Sequence, residues 1–259
     1  MSRSIEAPQN VLDLLHRLHK LSLDQEAQIA DPNGEYQKLH KSIQDKDAKE
    51  KARIRDDAMK DKFIALEEDK AQFMYNLVRA TGALNVVEAG TSYGVSTIYL
   101  ALAVGQNAKT VGKRPGEAKV IGTEHWHEKA EQARQYWKEA GEAVEPWIEL
   151  REGDITETLA SDMPTIDFVL FDSKLYCTHC GANADKCTVW TPLVVPTLKV
   201  IEPKLKRGAV LLADNVASSN TGVVGGYKEF YSIIKAPGSK YKTLTLPYSG
   251  GLEMVTYWP

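Results

Sequence analysis

The chain has 259 residues, 43% of them apolar and 26% charged, with a formal net charge of −3. That length permits a full core in one or two domains. The near-neutral balance argues against nucleic acid as a main partner, because phosphate binding needs clustered Lys and Arg.

No apolar run reaches the roughly 18 residues needed to cross a bilayer, so no membrane partner is expected. The start, MSRSIEAPQN, lacks the apolar stretch of a secretory signal. Three cysteines are odd in number and too few for a disulfide scaffold, so a reducing, cytoplasmic setting is expected.

Val11, Leu12, Leu15, Leu18, Leu21 and Leu23 recur at largely helical spacing and predict a helix over 11–30, closed by the turn signal DPNG at 31–34. Residues 40–62 are dense in charge and read as a solvated helix or a mobile segment. A second amphipathic helix is predicted over 66–80, with Phe73, Leu77 and Met74 facing inward. After Gly82, short apolar runs alternate with helical patterns: NVVEA, VSTIYLALAV, KVIGT, HEKAEQARQYWKEAG, WIELR, TETLA, DFVLF, AVLLA. Such alternation predicts βαβ units and a parallel sheet covered on both faces. YKTLTL and GLEMVTYW flank PYSG and predict a closing antiparallel hairpin. The expected fold class is α/β and Rossmann-like, with residues 1–65 a helical extension of the domain formed by 66–259.

VVEAGTSYGVST, at 86–97, is the first motif with chemical content. Gly90 and Gly94 bracket a tight turn after the strand, where the missing Cβ permits positive φ and close approach of a ligand. Two cofactors use such a loop. A dinucleotide wants G-x-G-x-x-G, but Ser92 and Val95 stand where that pattern needs glycine. S-adenosylmethionine has no phosphate and needs partners for its amino acid tail: Glu88 is placed to face the ammonium and Ser96 to donate to the carboxylate, with Gly90, Ser92 and Gly94 as the loop between them. Glu124, at the tip of the second strand, suits two ribose hydroxyls. Asp154 follows the third strand and suits an adenine amino group. Trp126 either covers the adenine or packs in the core, and His125 and His127 read as surface residues.

IDFVLFD ends in Asp172, and AVLLADN ends in Asp214 and Asn215. If those strands are neighbours, about 4.8 Å apart, three oxygen-bearing side chains converge at the glycine-loop edge. Two carboxylates and an amide suit a hard cation such as Mg²⁺; the alternative is that these residues only cap turns or helices.

Taken together, EAGTSYG with Ser96, Glu124, the GD pair ending at Asp154, FD at 171–172, DN at 214–215 and the closing GGLEMVTYW resemble the cation-dependent O-methyltransferases, the group of the caffeoyl-CoA and catechol enzymes. The resemblance covers the chain from about Leu66 to its end, and LSLDQEA adds a likeness to the caffeoyl-CoA branch. It implies a class I methyltransferase fold with a mostly parallel seven-stranded sheet, S-adenosylmethionine as methyl donor, and Mg²⁺ or Mn²⁺ held by Asp172, Asp214 and Asn215. The implied acceptor is a small catechol-like vicinal diol, acidified on the metal. Asp172 and Lys174 are the implied catalytic residues, although Lys174 follows Asp172 by two positions where the family pattern has three. The resemblance also implies a homodimer, with the N-terminal helices at its interface or over the acceptor site. The runner-up reading is an NAD(P)-dependent oxidoreductase, and a zinc-binding interaction module is third. Cys177, His179, Cys180 and Cys187 offer four ligands, but C-x-H-C-x₆-C matches no standard zinc spacing. They read as thiols of a loop bordering the acceptor pocket, with Trp190 and Tyr248 as pocket walls or core residues.

Overall fold

The computed structural model describes residues 4–172, 193–218, 222–223 and 227–259. Helix α1 (Gln9–Ala30) buries Val11, Leu14, Leu15 and Leu18, while Leu12 and Leu21 lie half-buried at its rim. Leu23, expected inward, is 63% exposed; five residues beyond Leu18, it lies roughly 140° around the helix from that stripe. The charged stretch folds as α2 (Glu35–Ser42) and α3 (Ala48–Met59), and Asp47 caps α3 by accepting from the Glu50 amide at 2.9 Å. Helix α4 (Glu68–Thr81) buries Lys70, Ala71, Met74, Tyr75 and Val78. Phe73 and Leu77, expected on that face, are only half-buried, so the buried stripe is rotated by one residue. Gly82, left-handed at φ 65°, ends the helix.

Seven strands form one sheet: β1 (Asn85–Ala89), β2 (Lys119–Glu124), β3 (Ile148–Glu152), β4 (Ile166–Phe171), β5 (Leu205–Asp214), β6 (Tyr241–Leu246) and β7 (Leu252–Tyr257). Their order is β3-β2-β1-β4-β5-β7-β6, the first five parallel and β7 antiparallel to both its neighbours, β5 and β6. The connecting helices are α5 (Val95–Thr110), α6 (His127–Ala140), α7 (Ile155–Thr158), α8 (Val194–Ile201) and α9 (Lys228–Ile234). Ala217–Ser218 and Gly222–Val223 pair as a short ribbon beyond β5.

Strand alternation divides the core in two. Val86, Val120, Phe168 and Leu212 bury against α1, α4, α5 and α6; Val87, Ile121, Val169 and Leu211 bury against α8 and α9. α5 is apolar almost all round because the sheet lies on one side and α4 on the other. A Cβ on its Gly105 would fall 2.6 Å from the Trp147 indole nitrogen, so glycine there permits the close packing. Among the described residues, no helix is long and apolar enough to cross a membrane.

Candidate active site

β1 has β2 on one side and β4 on the other, so chain order reverses at its carboxyl end. Ligands of open α/β sheets bind at such a point. There the Asp172 amide donates to the Ala89 carbonyl at 3.1 Å. Gly90, at φ +100°, lies so close that a Cβ would sit 2.5 Å from the Asp172 carbonyl oxygen. Ser92 follows at φ 50° and Gly94 at φ 76°. The Trp137 indole donates to the Gly94 carbonyl at 3.0 Å, and a Cβ on Gly94 would fall 2.6 Å from that indole nitrogen. The glycines are thus fixed by the neighbours the loop must pass.

Glu88 is fully buried beneath the loop. Its Oε1 accepts from Ser96 Oγ at 2.6 Å, and its Oε2 accepts from Thr91 Oγ1 at 2.9 Å and from Thr97 Oγ1. On β2, Gly122 stands opposite Glu88, and a Cβ there would come within 2.5 Å of Thr91 Oγ1. Burial pushes the Glu88 carboxyl up to about 7; the three hydroxyls pull it down, and the neighbouring Glu124 charge adds to the rise. Glu88 and Ser96, expected to meet the two ends of an amino acid tail, bond to each other beneath the loop.

Glu124 is 7% exposed. Its Oε2 accepts from the Ser92 amide at 2.7 Å, and its Oε1 from the His125 and Trp126 amides at 2.9 Å. A carboxylate offers about four lone-pair positions, so these contacts leave one on Oε2 for a ligand hydroxyl. Trp126 is half-buried, and the Lys129 ammonium sits 4.4 Å from its ring centre and 5.3 Å from that of Tyr93. Tyr93 stacks on Phe63 at 4.7 Å, which ties the N-terminal extension to the loop. Asp154 is exposed and caps α7: its Oδ1 accepts from Thr156 Oγ1 at 2.5 Å and the Thr156 amide at 2.8 Å, and these bonds lower its pKa. His125 and His127 are exposed, and His127 Nδ1 lies 2.8 Å from Glu152.

Phe171 pairs with Ala213, so Asp172 and Asp214 follow side by side at the tips of β4 and β5. Asp214 is fully buried. Its Oδ1 accepts from Lys70 Nζ at 2.6 Å, its Oδ2 from Asn215 Nδ2 at 2.8 Å, and its backbone carbonyl from the Tyr227 hydroxyl at 2.9 Å. Lys70 also lies 3.0 Å from Glu67. Asn215 is left-handed at φ 55° and packs against Gly250 of the hairpin turn. Both Asp214 oxygens therefore receive N–H donors, one of them an ammonium, and Asn215 turns its NH₂ toward the carboxylate it was expected to join as a ligand. This donor set does not fit a divalent cation, which needs lone pairs aimed at a common point. Among the described residues, the His, Cys, Asp and Glu groups close enough to share an ion are His127, Glu131 and Glu152, all exposed, with ligand atoms within 4.8 Å of one another.

Lys174, Cys177, His179, Cys180, Cys187 and Trp190 lie outside the described residues. Tyr248 packs on Phe73, ring centres 5.8 Å apart. Lys70 was missed by sequence reasoning. Its signal is a lysine four residues before Met74, on the buried stripe of an amphipathic helix, where only a buried acid makes it tolerable.

A family model described as a methyltransferase domain matches residues 87–216. No curated relative matches the chain. A proposed O-methyltransferase from Klebsiella pneumoniae is similar in structure: TM-score 0.59 at 18% identity, covering 94% of this chain and 100% of that one. An O-methyltransferase from Bacillus cereus in complex with SAH gives 0.55 at 22% identity, covering 85% and 96%. A proposed caffeoyl-CoA O-methyltransferase from Staphylococcus aureus gives 0.54 at 18%, covering 91% and 99%. At these identities the likeness is one of fold.

Proposed function

The chain belongs to the methyltransferase-domain family, and on that premise we propose that it transfers a methyl group from S-adenosylmethionine to a hydroxyl of a small acceptor. The observation that carries this reading is the alignment, at one sheet edge, of the left-handed Gly90–Gly94 loop with Glu124 and Asp154 at the next two strand tips. S-adenosylmethionine supplies an electrophilic methyl on a sulfonium, whose sulfur leaves as a neutral thioether. The chain's residues bind and orient it. Glu124 Oε2 accepts from a ribose hydroxyl, while its other contacts hold the loop and the start of α6 in place. Asp154 accepts from the adenine amino group, and Trp126, backed by Lys129, flanks the ring. Glu88 holds the loop from beneath through Thr91, Ser96 and Thr97. Holding donor and acceptor in line contributes much of the acceleration.

The resemblance implies a finer form, an aromatic vicinal diol bound beside Asp172 with a divalent cation at Asp172, Asp214 and Asn215. The adjacency of β4 and β5 favours it; the Lys70 ammonium on Asp214 opposes the cation. The family match gives no support to an NAD(P)-dependent oxidoreductase.

Two measurements test the proposal. S-adenosylhomocysteine should raise the melting temperature while NAD and NADP leave it unchanged. Mass spectrometry on a panel of mono- and dihydroxy aromatics should then find products heavier by one methylene. Stabilisation by a nicotinamide dinucleotide and not by S-adenosylhomocysteine would overturn it.

A further inference from the structure

We infer that the Lys70 ammonium takes the place of a divalent cation in this site, so that the chain works without a metal and has no need of a chelating diol. The inference rests on the methyl-transfer reading for its reaction, but on the Asp214 environment alone for its chemistry.

A buried carboxylate needs positive charge, and either a metal or a lysine can supply it. Here Lys70 Nζ lies 2.6 Å from Asp214 Oδ1, both side chains are fully buried, and Glu67 stands 3.0 Å from the same ammonium. Asp214 Oδ2 is held by the Asn215 amide at 2.8 Å, so that the third expected ligand presents a donor there. A divalent cation bound to Asp214 would have to displace the ammonium from Oδ1 or else stand beside that second positive charge in a low-dielectric setting. The lysine is anchored in a helix whose buried stripe continues through Ala71, Met74 and Val78, so it is not a side chain free to swing away.

The consequence for the acceptor is direct. A metal selects vicinal diols because two oxygens chelate it; an ammonium already engaged by two carboxylates offers no such bite. A single hydroxyl then suffices for an acceptor: the O–CH₃ bond forms as the S–CH₃ bond breaks, and the hydroxyl proton passes to solvent.

Manganese binding measured by electron paramagnetic resonance tests this without turnover. The protein used is His127→Ala, which disables the exposed His127, Glu131 and Glu152 group. It is expected to hold no Mn²⁺ at Asp172 and Asp214 up to about 1 mM, the weak end of protein sites for divalent cations. One equivalent held by His127→Ala and weakened or lost on adding Asp172→Ala would overturn the inference; an equivalent unaffected by Asp172→Ala is bound away from this site and leaves the inference standing. In the same background, Lys70→Ser vacates the ammonium position and is expected to gain one equivalent of Mn²⁺, with a rise in melting temperature on Mn²⁺ addition. A folded Lys70→Ser protein that gains neither also overturns the substitution of one cation by the other. If that variant does not fold, the His127→Ala titration still decides. Absence of stabilisation by S-adenosylhomocysteine is a separate result and bears only on methyl transfer.

Discussion

The Nζ of Lys70, on α4, stands 2.6 Å from Oδ1 of Asp214, at the tip of β5, and neither side chain exposes any surface. Burial works against the ammonium, but the Asp214 charge and hydrogen bond outweigh it, with Glu67 adding to the effect, and the Lys70 pKa is raised. Removing one partner strands the other. Lys70→Met is expected to cost about 3–5 kcal/mol in urea denaturation. Lys70→Met combined with Asp214→Leu should lose much less than the sum of the single changes. Additive losses would show that the two side chains are energetically independent despite their contact.

Gly90→Ala puts a methyl 2.5 Å from the Asp172 carbonyl at a backbone angle of φ +100°. The backbone conformation alone costs roughly 1–3 kcal/mol, and the clash is with main chain, which cannot turn aside. The expected result is a clear drop in melting temperature together with loss of S-adenosylhomocysteine binding by calorimetry. Gly112→Ala is the control: φ is +70° there, but no atom lies within 4 Å of the added carbon, so stability falls modestly and binding persists.

Much of this site is legible in the sequence because strand ends are. NVVEA, KVIGT, DFVLF and AVLLAD are apolar runs that stop at Glu88, Glu124, Asp172 and Asp214, and the parallel pairing of their strands carries each to one edge of the sheet. What such reading cannot reach is the partner arriving from a distant element. Lys70 lies 144 positions from Asp214 in the chain, and in sequence it is one lysine in a charged neighbourhood, EEDK. The same limit applies at Gly94, whose need for glycine comes from Trp137, 43 residues on. The half-buried positions of Phe73 and Leu77 have a related cause: the inward face of α4 includes a lysine, which a hydrophobic pattern does not count.

Glu88 makes stability depend on pH. Its carboxyl is raised in the folded protein from 4.5 to about 7, first through burial. The folded state therefore holds this proton more tightly than the unfolded chain. The stability from this group is full below pH 4.5, falls between 4.5 and 7, and is flat above; the shift corresponds to roughly 3 kcal/mol. Glu88→Gln cannot ionise, and its hydroxyl neighbours can rotate to suit an amide. Denaturation across pH 4.5–7 should show a decline in wild type that is shallower in Glu88→Gln. Parallel curves would mean that Glu88 keeps its ordinary carboxylate pKa.

Asp154 separates binding from folding. Its Oδ1 caps α7 through the Thr156 amide and hydroxyl, and the residue is exposed. Asp154→Asn keeps an oxygen for the cap, because asparagine is as good an N-cap as aspartate, so stability should change by no more than about 0.5 kcal/mol. The second oxygen, however, becomes an NH₂, and an adenine amino group then meets a donor in place of an acceptor. The loss of that hydrogen bond is worth roughly 1 kcal/mol, with a further penalty for the opposed donors, and S-adenosylhomocysteine affinity should fall about tenfold or more. Calorimetric titration of the variant against wild type at equal melting temperature isolates the effect. An unchanged dissociation constant would remove Asp154 from the adenine contact and leave it as a helix cap, with Glu124 alone marking the cofactor's place along the sheet edge.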